Sequence, residues 1–280
     1  MRRVCQAANA FTSVEAADWV KPMRPHKLTS RSLSKSFGDL EVLRDISVAV
    51  DDGEFVGLVG PSGCGKTTFL RIVCGLEPAD SGTISVDGAV VSGPGRDRGF
   101  VFQSDCLLPW RSVLDNTIVG LELAGWIGAT DLERTRNLLN LVGLAGFESY
   151  FPRQLSGGMR QRVNLARALA IDPKILLMDE PFSALDAQTR EIIQGELQRI
   201  WEEGRKTVLF VTHEIDEAVF LSDRVLVVAR LGRILEDLRI GLPRPRTFAA
   251  KREPAFVALV DRIWRLIEND VRETVLVERR

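Results

Sequence analysis

No stretch of the 280-residue chain approaches the roughly 20 consecutive apolar residues that a bilayer-spanning helix requires. Any role at a membrane must therefore come through a partner. The N-terminal Met1-Arg2-Arg3-Val4-Cys5-Gln6 is basic but lacks the apolar core of a secretory signal. Cysteine is sparse. Cys5, Cys64, Cys74 and Cys106 are scattered without metal-ligand spacing, and a reduced cytosolic protein is the simplest reading. Neither charge sign dominates: 37 basic residues against 38 acidic ones leave −1. Nothing therefore marks nucleic acid as the main partner. A guanine-reading Asn-Lys-x-Asp motif is also missing. The length still allows one large α/β core or two modest lobes.

What the chain does have is a phosphate-binding loop. Gly60-Pro61-Ser62-Gly63-Cys64-Gly65-Lys66-Thr67-Thr68 fits G-x-x-x-x-G-K-S/T. Its glycines let backbone N–H groups turn inward around phosphates. Lys66 can reach the β- and γ-phosphates, and the Thr67 hydroxyl can ligate Mg²⁺. The apolar run Phe55–Val59 before the loop predicts a buried strand, and Thr68–Val73 after it a helix. That context puts the positive end of a helix dipole under the phosphates. A second apolar strand, Ile175-Leu176-Leu177-Met178, ends in Asp179 and Glu180. Asp179 can hold Mg²⁺, and Glu180 can polarise the water that attacks a γ-phosphate. The bland alternative, two acids capping the next helix, weakens beside a phosphate loop. Downstream lies Leu155-Ser156-Gly157-Gly158-Met159, a serine-glycine turn that most other kinds of nucleotide enzyme lack.

In this order the motifs resemble the nucleotide-binding subunit of an ABC transporter. The resemblance implies that Phe37 stacks on adenine, that Gln103 belongs to a glutamine loop, that Ser156, Gly157 and Gly158 form the signature, that Asp186 lies in the D-loop, and that His213 is the switch histidine. ATP and Mg²⁺ are the implied cofactors, with Thr67, Gln103 and Asp179 about the metal. Glu180, His213 and Gln103 form the catalytic set. Two positions depart from the usual pattern. Met159 takes the fifth signature place, where phosphate contacts from Ser156, Gly157 and Gly158 do not depend on it. Phe37 replaces a common Tyr, which keeps a π-face and loses a hydroxyl. Without the family frame, Phe37 also reads as a core aromatic, His213 as an idle strand-end histidine and Gln103 as a plain loop residue. Cys64, at a helix N-terminus and two residues from Lys66, is expected to be a stabilised thiolate; the alternative is a buried, inert thiol.

The implied fold is α/β: a RecA-like parallel sheet of the P-loop NTPase kind, an antiparallel β-subdomain and an inserted α-helical subdomain. Residues 1–26 form an N-terminal extension and residues 27–240 the ATPase domain, with the helical part over about 104–162. Residues 241–280 hold a connector and an amphipathic helix. Thr83–Gly88 and Gly99–Phe102 are expected to add strands to the antiparallel sheet. Leu132, Leu138, Leu139 and Val142 share a helix face. Leu242-Pro243-Arg244-Pro245-Arg246 reads as a stiff basic connector, and Phe256, Leu259, Val260, Ile263 and Ile267 as a stripe packing on its own subunit. The loop Ser104–Arg111, with Leu107, Leu108 and Trp110, is apolar enough to receive a permease helix; local packing is the alternative. This loop and the connector resemble the nitrate, sulfonate and taurine branch of importers. The expected partners are a second copy of the chain in a nucleotide sandwich, transmembrane permease subunits and, indirectly, an extracytoplasmic binding protein. No nucleic acid is expected, and the location is peripheral, on the cytoplasmic face of the membrane. An ABC ATPase acting on nucleic acid or ribosomes is the alternative, and an unrelated P-loop kinase or GTPase is opposed by the Ser156 signature.

Overall fold

The computed structural model describes residues 26–125 and 128–278, with side chains as far as residue 272. All but the last residue of the expected extension over 1–26 lies outside the described residues. The chain runs β1 (Leu28–Phe37), β2 (Leu40–Val50), β3 (Phe55–Val59), α1 (Lys66–Cys74), β4 (Ser81–Val86), β5 (Ala89–Val90) and β6 (Arg98–Val101). Three helices follow: α2 (Val113–Leu123), α3 (Ala129–Leu141) and α4 (Gly157–Ala170). Alternation then resumes with β7 (Ile175–Asp179), α5 (Ala187–Gly204), β8 (Thr207–Val211), α6 (Ile215–Leu221), β9 (Arg224–Val228), β10 (Ile234–Arg239) and α7 (Pro254–Glu278).

The strands form two sheets. One is antiparallel, in the order β2-β1-β4-β5; the other runs β10-β9-β3-β8-β7-β6 and is parallel except at β10. The central strands β3, β7 and β8 are buried along their whole length. That is why they read as unbroken apolar runs and not as alternating ones. Their residues still divide by face. Phe55, Met178 and Phe210 enter one core with α4, α5, α6 and α7, whereas Val56, Leu177 and Leu209 enter a second with α1 and the antiparallel sheet. A period of two thus serves two cores from one sheet.

One strand sits elsewhere than expected. Gly99–Val101 belongs to β6, which pairs parallel with β7 in the register Arg98↔Ile175, and not to the antiparallel sheet. Arg98, Gly99 and Val101 are buried, as an α/β strand covered on both faces must be. A Cβ on Gly99 would lie 2.8 Å from the Ala168 carbonyl oxygen and from Pro173. Only glycine lets the last turn of α4 settle there.

The basic connector is pinned, not free. Arg246 is buried, and one of its terminal nitrogens donates to the carbonyls of Val219 (3.0 Å), Phe220 (3.0 Å) and Ser222 (2.7 Å). Arg244 donates to Leu221 O at 2.5 Å and to Asp223 at 2.9 Å. These carbonyls are the ones the C-terminus of α6 leaves without helical partners, and a cation there also opposes the negative end of the helix dipole. Burial, then the nearby Arg244 charge, pull the Arg246 guanidinium down to about 10, which leaves it charged at neutral pH. Beyond it, Phe256 and Ile263 of α7 are buried in the first core, with Leu259, Val260 and Ile267 packed against it. The amphipathic stripe therefore packs on its own subunit.

Arg246→Ala strands several buried carbonyls at once. Each unsatisfied group costs about 1–3 kcal/mol, so a loss of roughly 3 kcal/mol and a drop of about 6–12 °C in Tm are expected by calorimetry. A Tm within about two degrees of the parent chain contradicts this capping role.

Candidate functional site

Four neighbouring strands, β3, β8, β7 and β6, deliver the candidate residues at their carboxyl ends, where open α/β sheets place their ligands. After β3, the loop turns so tightly that a Cβ on Gly60 would sit 2.1 Å from the Val228 carbonyl oxygen. Gly65 has φ +99°, and a side chain there would meet Leu43 and the Val42 carbonyl oxygen at 2.6 and 2.7 Å. Gly65 also caps α1 without any side-chain hydrogen bond. The first N–H groups of a nine-residue helix are thus left to an anion. Lys66 opens that helix, and its Nζ donates to the carbonyls of Gly60 and Pro61, both at 2.9 Å.

Thr67 Oγ1 donates to Asp179 Oδ1 at 2.9 Å, a reach across the intervening β8. Asp179 is buried, and its carboxyl is held above the usual range first by burial and then by the Glu180 charge. Glu180 itself sits at φ +46°. Its Oε2 accepts from Gln103 Nε2 at 3.0 Å and lies 3.3 Å from His213 Nδ1. The loops after three strands therefore meet on one oxygen atom. Ser62, Gly63, Cys64, Gly65, Lys66, Thr67, Thr68, Gln103 and Glu180 line a cleft of about 290 Å³.

Other expected residues lie elsewhere. Phe37 is 48% exposed at the end of β1, with the Lys35 ammonium 5.1 Å from its ring centre, so it is not a core aromatic. Ser156 is the N-cap of α4 and accepts from Met159 N at 3.2 Å, with Gly157 and Gly158 opening the helix. None of these lines the cleft. Asp186 is the N-cap of α5, accepting from Thr189 N at 3.0 Å.

The donor set suits a small hard cation. Thr67, Asp179 and Gln103 can each offer an oxygen, and the buried Asp179 accepts from the Thr67 hydroxyl with the Glu180, Arg71 and Lys66 charges nearby. Among the described residues no group of three or more His, Cys, Asp or Glu could hold a metal alone. A cation here therefore needs oxygens from a bound molecule as well, which is the habit of Mg²⁺ with phosphates.

Sequence reasoning missed a buried polar network behind the site. Thr212, Glu217 and Gln194 are bonded to one another, with Arg190 beside them. The available signal was Glu217 itself, an acid directly before the apolar run Ala218-Val219-Phe220-Leu221.

Residues 43–183 match the family model described as ABC transporter. The chain is 46% identical over 244 residues to a nitrate import ATP-binding protein of Synechocystis, covering 85% of this chain and 91% of that one. A taurine import ATP-binding protein of Shigella dysenteriae is 46% identical over 233 residues, covering 81% and 91%. Among solved structures, an ATP-binding cassette described as a dimer in a post-hydrolysis state bound to ADP and Pi superposes with a TM-score of 0.70. It is 32% identical and covers 79% of this chain and all of that one.

Cys64 is 1% exposed, and burial pushes its thiol up despite the nearby Lys66 charge. The expected thiolate is thus replaced by a buried thiol, because desolvation outweighs the local cation. Cys106 is exposed. Alkylation read by mass spectrometry should label Cys106 at least about tenfold faster than Cys64 without nucleotide. Equal rates would contradict the burial.

Proposed function

Because the chain belongs to the ABC transporter family, we propose that it is the ATP-binding subunit of an importer that carries a small anion of the nitrate, sulfonate or taurine type. It is an ATPase, and its hydrolysis is coupled to transport. The observation that carries the proposal is the meeting of Gln103, Glu180 and His213 on one carboxylate oxygen, beside a cleft lined by Lys66 and Thr67.

The chain's residues divide the work. The N–H groups of the loop and the start of α1 receive phosphate oxygens, and Lys66 exchanges its two carbonyl partners for the β- and γ-phosphates. Thr67, Asp179 and Gln103 would hold Mg²⁺, which would supply charge neutralisation at the phosphates. Glu180 takes the proton of the attacking water. Gln103 and His213 fix Oε2, which leaves Oε1 to face that water. With nucleotide bound, the His213 N–H turns from Glu180 to hydrogen-bond the γ-phosphate. Phe37, exposed and planar, stacks on adenine.

Two copies complete the site. Ser156, Gly157 and Gly158 end a helix whose N–H groups favour an anion, yet they do not line their own cleft. In a nucleotide sandwich they cap the γ-phosphate held by the second copy, and Asp186 fixes the start of α5 beside them. The excluded water makes each capping donor worth more.

The permease docks at the loop that begins after Gln103. Trp110 is 71% exposed, but the loop beneath it is held firmly. Leu108 and Asn116 exchange hydrogen bonds at 2.8 and 3.1 Å, Arg160 grips Asp105 at 2.7 Å, and Arg167 donates to the carbonyls of Asp105 and Cys106. A rigid exposed aromatic is a good interface anchor. No described helix is long and apolar enough to cross a membrane. In the importer reading the chain acts at the cytoplasmic face through its permease. An extracytoplasmic binding protein delivers the anion to that permease.

Lys66→Ala should lower ATP turnover on the order of 100-fold or more and weaken ATP binding, since a point charge against the phosphates is lost. Unchanged turnover would overturn the site. Glu180→Gln keeps the shape but cannot accept a proton, so hydrolysis should fall by roughly 10²–10⁴-fold while ATP still binds. This variant should then dimerise on ATP addition, as read by light scattering. Hydrolysis at the parent rate would mean that another group is the base.

A further inference from the structure

We propose that Glu217 is a positioning residue of the ATPase site: it orients the His213 imidazole and ties it to α5, the helix capped by Asp186. The proposal rests on the ATPase reading above and adds to it a residue that touches neither nucleotide nor water.

Glu217 lies on α6, four residues beyond His213, and is 5% exposed. Its Oε2 accepts from the Thr212 hydroxyl at 2.8 Å, and its Oε1 from Gln194 Nε2 of α5 at 3.0 Å. The same Thr212 oxygen accepts from Glu214 N at 3.0 Å. One hydroxyl therefore clamps the residues on either side of His213, and Glu217 holds that hydroxyl. His213 itself is about half exposed, and its ring nitrogens lie 3.3 Å from Glu180 and 3.5 Å from Glu214. Its aim must then come from the backbone that Thr212 and Glu217 fix. Thr212 and Gln194 are as buried as Glu217, so the clamp is shielded from competing water.

The network continues towards the D-loop. Arg190 of α5 lies 3.7 Å from Glu217 Oε1 and 3.9 Å from Glu214 Oε1, and donates to Leu185 O at 3.2 Å. Leu185 precedes the Asp186 cap, and a Cβ on Gly158 would lie 3.0 Å from Leu185 Cδ2. The imidazole serving one nucleotide and the signature turn serving the other are thus joined through Glu217.

Packing does not require a carboxylate here. Burial pushes the Glu217 carboxyl up, which is the cost of desolvating the ion. A leucine among Ala218, Val219, Phe220 and Leu221 would avoid that cost. A side chain kept in spite of it has a geometric task.

The chain has two histidines, His26 and His213, so ring resonances assign cleanly. The test compares the parent with Glu217→Leu, Glu217→Gln and Gln194→Leu, using imidazole NMR at one pH and steady-state ATP hydrolysis. In Glu217→Leu the His213 ring signals should shift while those of His26 stay. Its kcat should fall about tenfold with KM for ATP within about twofold, because the lost interaction acts in the transition state. Glu217→Gln, which can bond both Thr212 and Gln194, should restore the His213 signals and bring kcat to within about threefold of the parent. If Glu217→Leu fails to fold, Gln194→Leu carries the same test with the same signs. Unmoved His213 signals overturn the proposal. So does a shift with kcat intact, or a Gln variant no better than Leu. A parent chain without ATPase activity would sink the functional reading instead, while the NMR comparison would still report the clamp.

Discussion

The hydrogen bond from Glu180 N to Val211 O, at 2.9 Å, continues the β7–β8 ladder one residue past the end of β7. On it depends the position of the carboxylate proposed to take a proton from water. The bond fixes the Glu180 backbone while φ +46° swings the side chain out of the strand direction. A non-glycine residue in that region costs of order 1–3 kcal/mol, and surrounding structure must hold it there. Ser183 does part of this, with both its N–H and its hydroxyl donating to Glu180 O at 3.2 and 3.0 Å. The result is a carboxylate delivered between Gln103 and His213, which come from the strands on either side.

Electrostatics then explain why the cleft suits a phosphate only with help. Asp179 and Glu180 are adjacent acids, and burial, then the Glu180 charge, hold the Asp179 carboxyl above its usual range. A triphosphate added beside them would be repelled. In the proposed mechanism, Lys66, the N–H groups of α1 and a divalent cation would reverse that balance on one side of the nucleotide. Ser156 and its glycines head a helix of the helical subdomain and do not line the cleft. In the proposed sandwich, site and dimer are one problem: a single chain binds, and the capping helix of a second chain dries and completes the site.

Much of this was legible because the signals are local. The phosphate loop, the acids after β7 and the serine-glycine turn each sit in a strand–loop or loop–helix context that neighbouring residues define. What escaped was set by distant packing. β6 has four residues, two of them Arg98 and Gly99, which is too short and too polar for a period to show its partner. Arg246 read as part of a basic spacer, yet its acceptors are carbonyls of α6 more than 20 residues away in sequence. Cys64 was judged by the cation two residues off, but burial decides its chemistry. Glu217 gains meaning only once α5 brings Gln194 beside it.

The central claim is that each site is built by two copies, and the dependence of ATP turnover on protein concentration tests it most directly. If sites are shared, specific activity should fall on dilution and rise to a plateau as the chain is concentrated. Specific activity that stays constant down to high dilution would mean that one chain suffices, and would contradict the claim.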